Sequence, residues 1–382
     1  MRLKMNFCRI SLLLTAAAVP AGALVAQVAT PAAQAGEAAT GAAALPLEQG
    51  EGRAVATKLA DDLLTSFVYR QQAIQYADML RRNAAAGRYD GGNRGDLARL
   101  ITDDLQAVHK DGHLHVSPAE ASPGPGSGPR AEAAVPRKFP PLIQSAKTIA
   151  PGIGYIRFTA FMGRDEELAA IRKWLADNRD AQTLIFDLRN HHGGGLDEMD
   201  VIFPYLFAER TPLVKMAVAK YIHDQGRYSA GDRPTIQTAI EGDQVVDTHF
   251  AIPGEDTPLR KAKVYVLVSN ATASAAEHFA LALKSTGRAT LIGEPTTGAN
   301  HFGGSQPISD HFAVWMPVGR TYDIKTGKDW EGGGIAPDIA IDPAQALVVA
   351  LEKSGLSHDQ ALALNSTEVP AEPVHRDKLR SR

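Results

Sequence analysis

Four short stretches of this 382-residue chain combine residue types and spacings that could do chemistry. In Val264-Tyr265-Val266-Leu267-Val268-Ser269-Asn270-Ala271-Thr272-Ala273-Ser274-Ala275-Ala276-Glu277, a β-rich run ends abruptly in small residues, and a helix is expected to start at Ser274. A serine at such a junction lies where unpaired N–H groups and the positive end of the helix dipole favour developing negative charge. It reads equally as a nucleophile or as a plain N-cap. In Phe186-Asp187-Leu188-Arg189-Asn190-His191-His192-Gly193-Gly194-Gly195, three glycines follow a buried-looking strand. They open backbone conformations closed to other residues and admit a substrate close to the main chain, where free N–H groups can stabilise an oxyanion. Asp187 and Arg189 can bond locally to hold that turn, and His191 and His192 can cap it. The alternative is a loop that merely needs flexible geometry; the spacing and Lys-Ser/Thr of a P-loop are missing.

Two further stretches could serve such a serine. His113, beside Gly112, offers the neutral imidazole that a weakly nucleophilic hydroxyl needs as its base. Taken alone it reads as a structural histidine, and His113-x-His115 also has strand spacing for two metal ligands, although no matching carboxylate or histidine cluster accompanies it. In Trp330-Glu331-Gly332-Gly333-Gly334-Ile335-Ala336-Pro337-Asp338, a carboxylate stands beside a glycine turn. It could orient an imidazole and stabilise its charged form, or be an ordinary loop residue.

The elements that must position these residues follow from periodicity. Leu59, Leu63, Phe67, Ile74 and Met79 or Leu80 predict helix over 53–86, and Leu97, Leu100, Ile101, Leu105 and Val108 predict a second helix with Asp96 as N-cap. Residues 117–145, with Pro118, Pro123, Pro125, Pro129 and Pro136, read as a linker. Beyond it, strands at 153–158, 183–188, 213–222, 264–268 and 290–293 alternate with helices at 165–178, up to 206, and at 274–286. Such alternation argues for a mainly parallel sheet covered by helices. The expected organisation is a signal peptide over 1–26, a tether over 27–52 and an N-terminal helical domain over 53–116. The linker, a catalytic core over 146–343 and a C-terminal helix and tail over 344–382 follow.

Composition narrows the function classes. A net charge of -3 with no Lys/Arg run argues against nucleic acid as a partner. Arg2, Lys4 and Arg9 precede an apolar stretch from Ile10 to Val19 and then small residues, the order of a secretory signal; the run is short for a membrane span. Export to the periplasm or outside the cell is therefore expected, without stable membrane insertion after cleavage. The single cysteine, Cys8, falls within that segment, so the mature chain has no disulfide, Cys nucleophile or thiolate metal site.

These stretches, in this order, resemble the tail-specific serine peptidases of family S41, over about residues 50–343. The matching segments are Asp111-Gly112-His113, the turn from Asp187 to Gly195, Thr272-Ala273-Ser274-Ala275-Ala276-Glu277 and Glu331 to Asp338. The resemblance implies an α/β fold: a crotonase/Clp-like mixed sheet-and-helix catalytic core with a small N-terminal helical domain. One branch of the family pairs its serine with a lysine; Pro295-Thr296-Thr297-Gly298-Ala299-Asn300-His301 stands at that place here and has none. The chain therefore resembles the tricorn-like branch, with Ser274 as nucleophile, His113 as general base and Glu331 as base-orienting acid. By the same analogy main-chain N–H groups of Gly193, Gly194 and Ala275 form the oxyanion hole. The linker is too short for a PDZ domain, so the likeness is to the compact form, similar to interphotoreceptor retinoid-binding protein modules. A peptide or protein is the implied substrate, through an acyl-enzyme, with no cofactor and no metal. A carrier of apolar ligands is the alternative on the same fold. His278, one helical turn after Ser274, and His301, in the loop where the other branch keeps lysine, are candidate substrate contacts; the alternatives are a packing role for His278 and a solvated loop position for His301.

Overall fold

The computed structural model describes residues 41–119, 141–226, 228 and 231–368. The signal peptide, the only cysteine, most of the tether, residues 120–140 of the Pro/Gly linker and the end of the tail lie outside these residues. Three helices come first, α1 (Glu51–Ser66), α2 (Arg70–Ala85) and α3 (Arg94–Val108). The single helix expected over 53–86 is two, because Phe67 is extended and Val68 donates its N–H to the Pro317 carbonyl at 3.0 Å. A long-range backbone bond there replaces helical continuity. Asn93 rather than Asp96 caps α3, its side chain accepting the Asp96 N–H at 2.8 Å.

The chain then forms β1 (His115–Pro118), β2 (Ile143–Ala150), β3 (Ile153–Phe158), α4 (Asp165–Asp177), β4 (Thr183–Asp187), α5 (Asp197–Leu206), β5 (Thr211–Ala219) and α6 (Lys220–His223). Next come β6 (Ile236–Glu241), β7 (Gln244–Ala251), β8 (Lys263–Val268), α7 (Ala275–Ser285), β9 (Thr290–Gly293), β10 (His301–Ser309) and β11 (Phe312–Asp323). The last elements are β12 (Ile339–Ala340), α8 (Pro343–Lys353) and α9 (His358–Thr367). Two sheets result. In one, the order is β12-β9-β8-β4-β3-β2, parallel except for β2. Alternation in its strands explains the covering helices. Leu184, Phe186, Val264 and Val266 enter one core with Trp174, Phe203 and Phe279; Ile185, Tyr265 and Leu267 enter another with Leu347 and Leu351. A sheet buried on both faces needs apolar residues at odd and even positions alike. Phe279 is fully buried against Phe161, Phe186 and Phe203, where truncation to Ala typically costs about 3–5 kcal/mol.

The second sheet is antiparallel, ordered β1-β11-β5-β7-β6, with β10 also paired to β11. Of its strands only β5 and the start of β1, where the turn at Asp111–Gly112 leads into a strand, are anticipated by the sequence pattern. The expected strand over 213–222 ends at Ala219, and Lys220–His223 turns into α6. Helices α1–α3 share one hydrophobic core with this sheet, in which Leu59, Leu63, Tyr76 and Ile101 meet Val218, Phe312, Val314 and Met316. Among the described residues no helix is long and apolar enough to cross a membrane.

Candidate active site

Strands β4 and β8 are parallel neighbours, with Asp187 opposite Leu267, so the loops that follow them leave the sheet side by side at its carboxyl edge. That edge is where open α/β sheets place ligands. The first loop is anchored by a buried ion pair: Arg189 donates to Asp187 through Nε (2.8 Å) and Nη2 (2.6 Å). Tyr155 and Arg157 also donate to Asp187. Burial alone would raise the Asp187 carboxyl; the neighbouring Arg189 and Arg157 overcome it and hold the group well below the usual carboxylate range. The second loop is laced onto the first. Ser269 Oγ donates to the Arg189 carbonyl, Thr272 Oγ1 to the Leu188 carbonyl, and the Ala273 amide to the His191 carbonyl.

Ser274 ends that loop with φ 55° and ψ -119°, the only non-glycine residue with positive φ among those described. A serine in this region is strained by about 1–3 kcal/mol, and such strain persists only where the surroundings over-determine it. The surroundings here are explicit. Glu277, in the first turn of α7, accepts the Ser274 N–H (2.9 Å) and those of Gly298 and Ala299 (2.8 Å each), and Thr296 Oγ1 also donates to it. Burial pushes its carboxyl above the ordinary value, and these hydrogen bonds offset part of that rise. From the other side, Gly193 faces the serine so closely that a Cβ on it would lie 2.8 Å from Ser274 Cβ and 3.2 Å from Oγ.

The glycine turn supplies the expected N–H groups in part. Gly193 is removed from the set, because its N–H donates to His191 Nδ1 at 3.1 Å. Its missing side chain, rather than its amide, is what the serine needs. Accepting that bond and buried against Phe161, His191 is neutral: burial first, then the neighbouring His192, brings its pKa to about 3. The N–H groups of Gly194 and Ala275 have no intramolecular acceptor among the described residues.

The histidine and carboxylate candidates meet in a second cluster. Asp111, His113 and Glu331 bring their ligating atoms within 4.8 Å of one another. The His113 ring stacks on Trp315 with centroids 4.6 Å apart, and its backbone N–H is pinned by Asp111 Oδ1 at 2.9 Å. Glu331 accepts the Gly112 N–H on one oxygen (3.2 Å) and those of Asn300 (2.8 Å) and His301 (3.1 Å) on the other. Both carboxylates already receive N–H donors on each oxygen, a pattern of a hydrogen-bond hub more than of a metal ligand set. Burial raises the Glu331 carboxyl, countered in part by the His301 charge. The loop 296–301 therefore bridges the two halves: its amides fill Glu277 at one end and Glu331 at the other.

His278 and His301, read from sequence as substrate contacts, are each 4% exposed and occupied by protein partners. His278 Nε2 lies 2.9 Å from His249 Nδ1, and His249 Nε2 lies 3.2 Å from Asp200. His301 Nδ1 lies 2.8 Å from Asp111 Oδ2. Sequence reasoning names Glu277 and Asp111 only within the matching segments, without a role, and does not reach Tyr69, although Glu277 at the third position after a capping Ser is itself a recognisable signal. His115 is exposed, with Nδ1 on the His113 carbonyl, and stands outside the cluster.

The sequence profile of peptidase family S41 matches residues 152–341. Carboxyl-terminal-processing peptidase 1, chloroplastic, of Arabidopsis thaliana is 30% identical over 199 residues, 50% of this chain and 34% of that protein. The carboxyl-terminal-processing protease of Picosynechococcus is 26% identical over 216 residues, 56% of this chain and 45% of that protein. The chain thus spans less than half the length of these relatives. Among solved structures, a peptidase candidate from Parabacteroides merdae superposes with a TM-score of 0.53 at 17% identity, covering 84% of this chain and 99% of that one. A lipoprotein from Streptococcus agalactiae gives 0.51 at 16% identity, covering 81% and 99%. At these identities the structures speak to the fold alone.

Proposed function

We propose that this chain, which matches the profile of peptidase family S41 over residues 152–341, is an exported serine peptidase of the tricorn-like branch in its compact form, acting through Ser274, His113 and Glu331. The observation that carries the proposal is the strained Ser274 at the β8–α7 junction, facing a glycine turn whose Gly194 N–H, with that of Ala275, is unspent. Ser274 Oγ attacks the carbonyl carbon of a peptide bond, and its proton passes to the His113 imidazole. Negative charge that develops on the carbonyl oxygen is met by the Gly194 and Ala275 N–H groups at the N-terminus of α7. Glu331 balances the imidazolium that forms on His113. That proton then goes to the leaving amine, and water, deprotonated by His113, releases the acid and restores the hydroxyl. The relatives' names concern carboxyl-terminal processing; for this chain a peptide or protein substrate is the corresponding proposal. Export rests on the Arg2-to-Val19 pattern and is tested by fractionating cells that express the full chain, where retention of an unprocessed protein in the cytoplasm counts against it.

The test of the mechanism is labelling with a serine-directed fluorophosphonate. The full chain is expected to label, and Ser274→Ala is expected to abolish the label. Labelling that persists on the Ser274→Ala chain overturns the assignment.

A further inference from the structure

His301 is a buried histidine for which the proposed mechanism has no direct use. Its ring lies between three chain segments that are distant in sequence. Nδ1 is 2.8 Å from Asp111 Oδ2 and 3.8 Å from Glu331 Oε2; Nε2 is 3.5 Å from the Tyr69 hydroxyl. Tyr69 in turn donates its proton to Asp329 Oδ2 at 2.9 Å, which leaves its oxygen as an acceptor toward His301. Both ring nitrogens of His301 therefore face acceptors. A neutral imidazole has one N–H and can satisfy only one of them, whereas the imidazolium satisfies both.

The charges around the ring agree. Asp111 faces it from the turn after α3, and Glu331 and Asp329 from the loop after β11. Arg320, opposite His301 in the β10–β11 ladder, bonds Asp329 at 3.4 Å, and Tyr69 closes the remaining side between α1 and α2. Three carboxylates thus stand against one guanidinium. Burial on its own would favour the neutral ring, but the hydrogen bond and charge of Asp111, followed by Glu331 and Asp329, raise the His301 pKa above its ordinary value. Asp111 is correspondingly lowered: burial opposes ionisation, and the His301 bond and charge with the His113 and Leu114 amides prevail.

Resting on the serine-peptidase reading, we infer that His301 is a positioning residue, held as an imidazolium that locks the Asp111 and Glu331 carboxylates around His113. It does so in two ways. Through Asp111, whose Oδ1 accepts the His113 and Leu114 amides, it fixes the backbone on which the base is carried. Through Glu331, 3.8 Å from Nδ1, it keeps the base-orienting acid ionised despite burial.

The test compares the full chain with His301→Gln and His301→Lys, reading fluorophosphonate labelling rate against pH with Ser274→Ala as control. Removing the cation leaves His113 near two uncompensated carboxylates, which raises the pH at which His113 loses its proton and at which Glu331 ionises. Both changes move the acidic limb the same way. His301→Gln is expected to label roughly 10–100-fold more slowly at pH 7, with that limb shifted to higher pH. His301→Lys, keeping a cation, is expected to recover much of the rate and to extend the alkaline limb, since lysine holds its proton to higher pH than imidazole. Should His301→Gln fail to fold, ¹⁵N-histidine NMR of the unmodified chain decides: an imidazolium signature for His301 at pH 7 is expected. A neutral ring there, an unaltered pH profile in His301→Gln, or a folded His301→Lys as slow as His301→Gln with no limb moved, overturns the inference. If Ser274→Ala still labels, it is the peptidase assignment that fails, whatever the His301 variants do.

Discussion

Glu277 and Glu331 each gather three backbone amides, but the two ends of the site are built differently. The serine end is compact in topology. Its loop follows β8, the facing glycines follow the adjacent parallel strand β4, and Glu277 lies within the first turn of the helix that the serine begins. Its cost is local strain at one residue, held by a fully buried ion pair and by hydroxyl-to-carbonyl bonds between the two loops. The histidine–glutamate end has no comparable strain. It is assembled from residues 69, 111–113, 301, 315, 329 and 331, which only the antiparallel sheet and the helices packed on it bring together. In the proposed mechanism, the chemistry that needs a precise oxyanion geometry would thus rest on the parallel sheet, and the chemistry that needs balanced charge on a hub of long-range hydrogen bonds.

The comparison breaks most visibly if the two ends respond alike to removal of a functional group. Ser274→Ala should eliminate fluorophosphonate labelling and reduce peptide hydrolysis by about 10⁴-fold or more, while leaving the melting temperature nearly unchanged. Glu331→Gln should act through the base instead. It preserves the shape and the acceptor oxygen but loses the charge that stabilises imidazolium, so a fall of about 10²–10⁴-fold in kcat with little change in KM is expected. A Glu331→Gln chain with wild-type kcat would detach the hub from catalysis and leave the serine end as the whole of the machinery.

Legibility in the sequence divides along the same line. The β8–α7 junction, the glycine turn and the Asp187–Arg189 pair were readable because each is contiguous: an unbroken apolar, β-rich run from Val264 to Val268, small residues, then a capping pattern. The parallel sheet followed from strand–helix alternation. The antiparallel sheet did not, since β6 is exposed along most of its length and β10 is interrupted by Gly303, Gly304 and Pro307, so neither shows a strand period. Without that sheet the partners of His301 could not be foreseen. The partner of His278 was out of reach for a related reason. Helical spacing put His278 on the Ser274 face, but its buried bond to His249 on β7 depends on a strand the sequence did not announce. Gly193 was identified for its amide, while the structure uses it for the absence of a side chain.

That last point gives a sharper test of the serine end than deletion does. Gly193→Ala keeps every hydrogen-bonding group, yet its Cβ would fall 2.8 Å from Ser274 Cβ at a φ of +112°, a conformation that side chains rarely adopt. Displacing the nucleophile by even a fraction of an ångström is expected to lower kcat by about 10²-fold, with a stability loss of about 1–3 kcal/mol in denaturant unfolding. If the loss appeared in stability alone, the close approach of the two loops would be a packing matter and not a catalytic one.

The smallest effect isolates the strain itself. Ser274→Gly and Ser274→Ala are equally without a nucleophile, but only glycine adopts φ 55°, ψ -119° without clash of a Cβ. Relief of about 1–3 kcal/mol is opposed by the extra freedom glycine brings to the unfolded chain, about 0.5–1 kcal/mol. A net stabilisation of roughly 1 kcal/mol for Ser274→Gly over Ser274→Ala is therefore expected, measured as the shift in denaturant midpoint at unchanged slope. Equal midpoints would mean that the surrounding bonds, and above all Glu277, make this backbone shape as favourable for an L-residue as for glycine. In that case the serine end would be held by hydrogen bonding alone, as the histidine–glutamate end is, and the contrast between them would reduce to which residues are close in sequence.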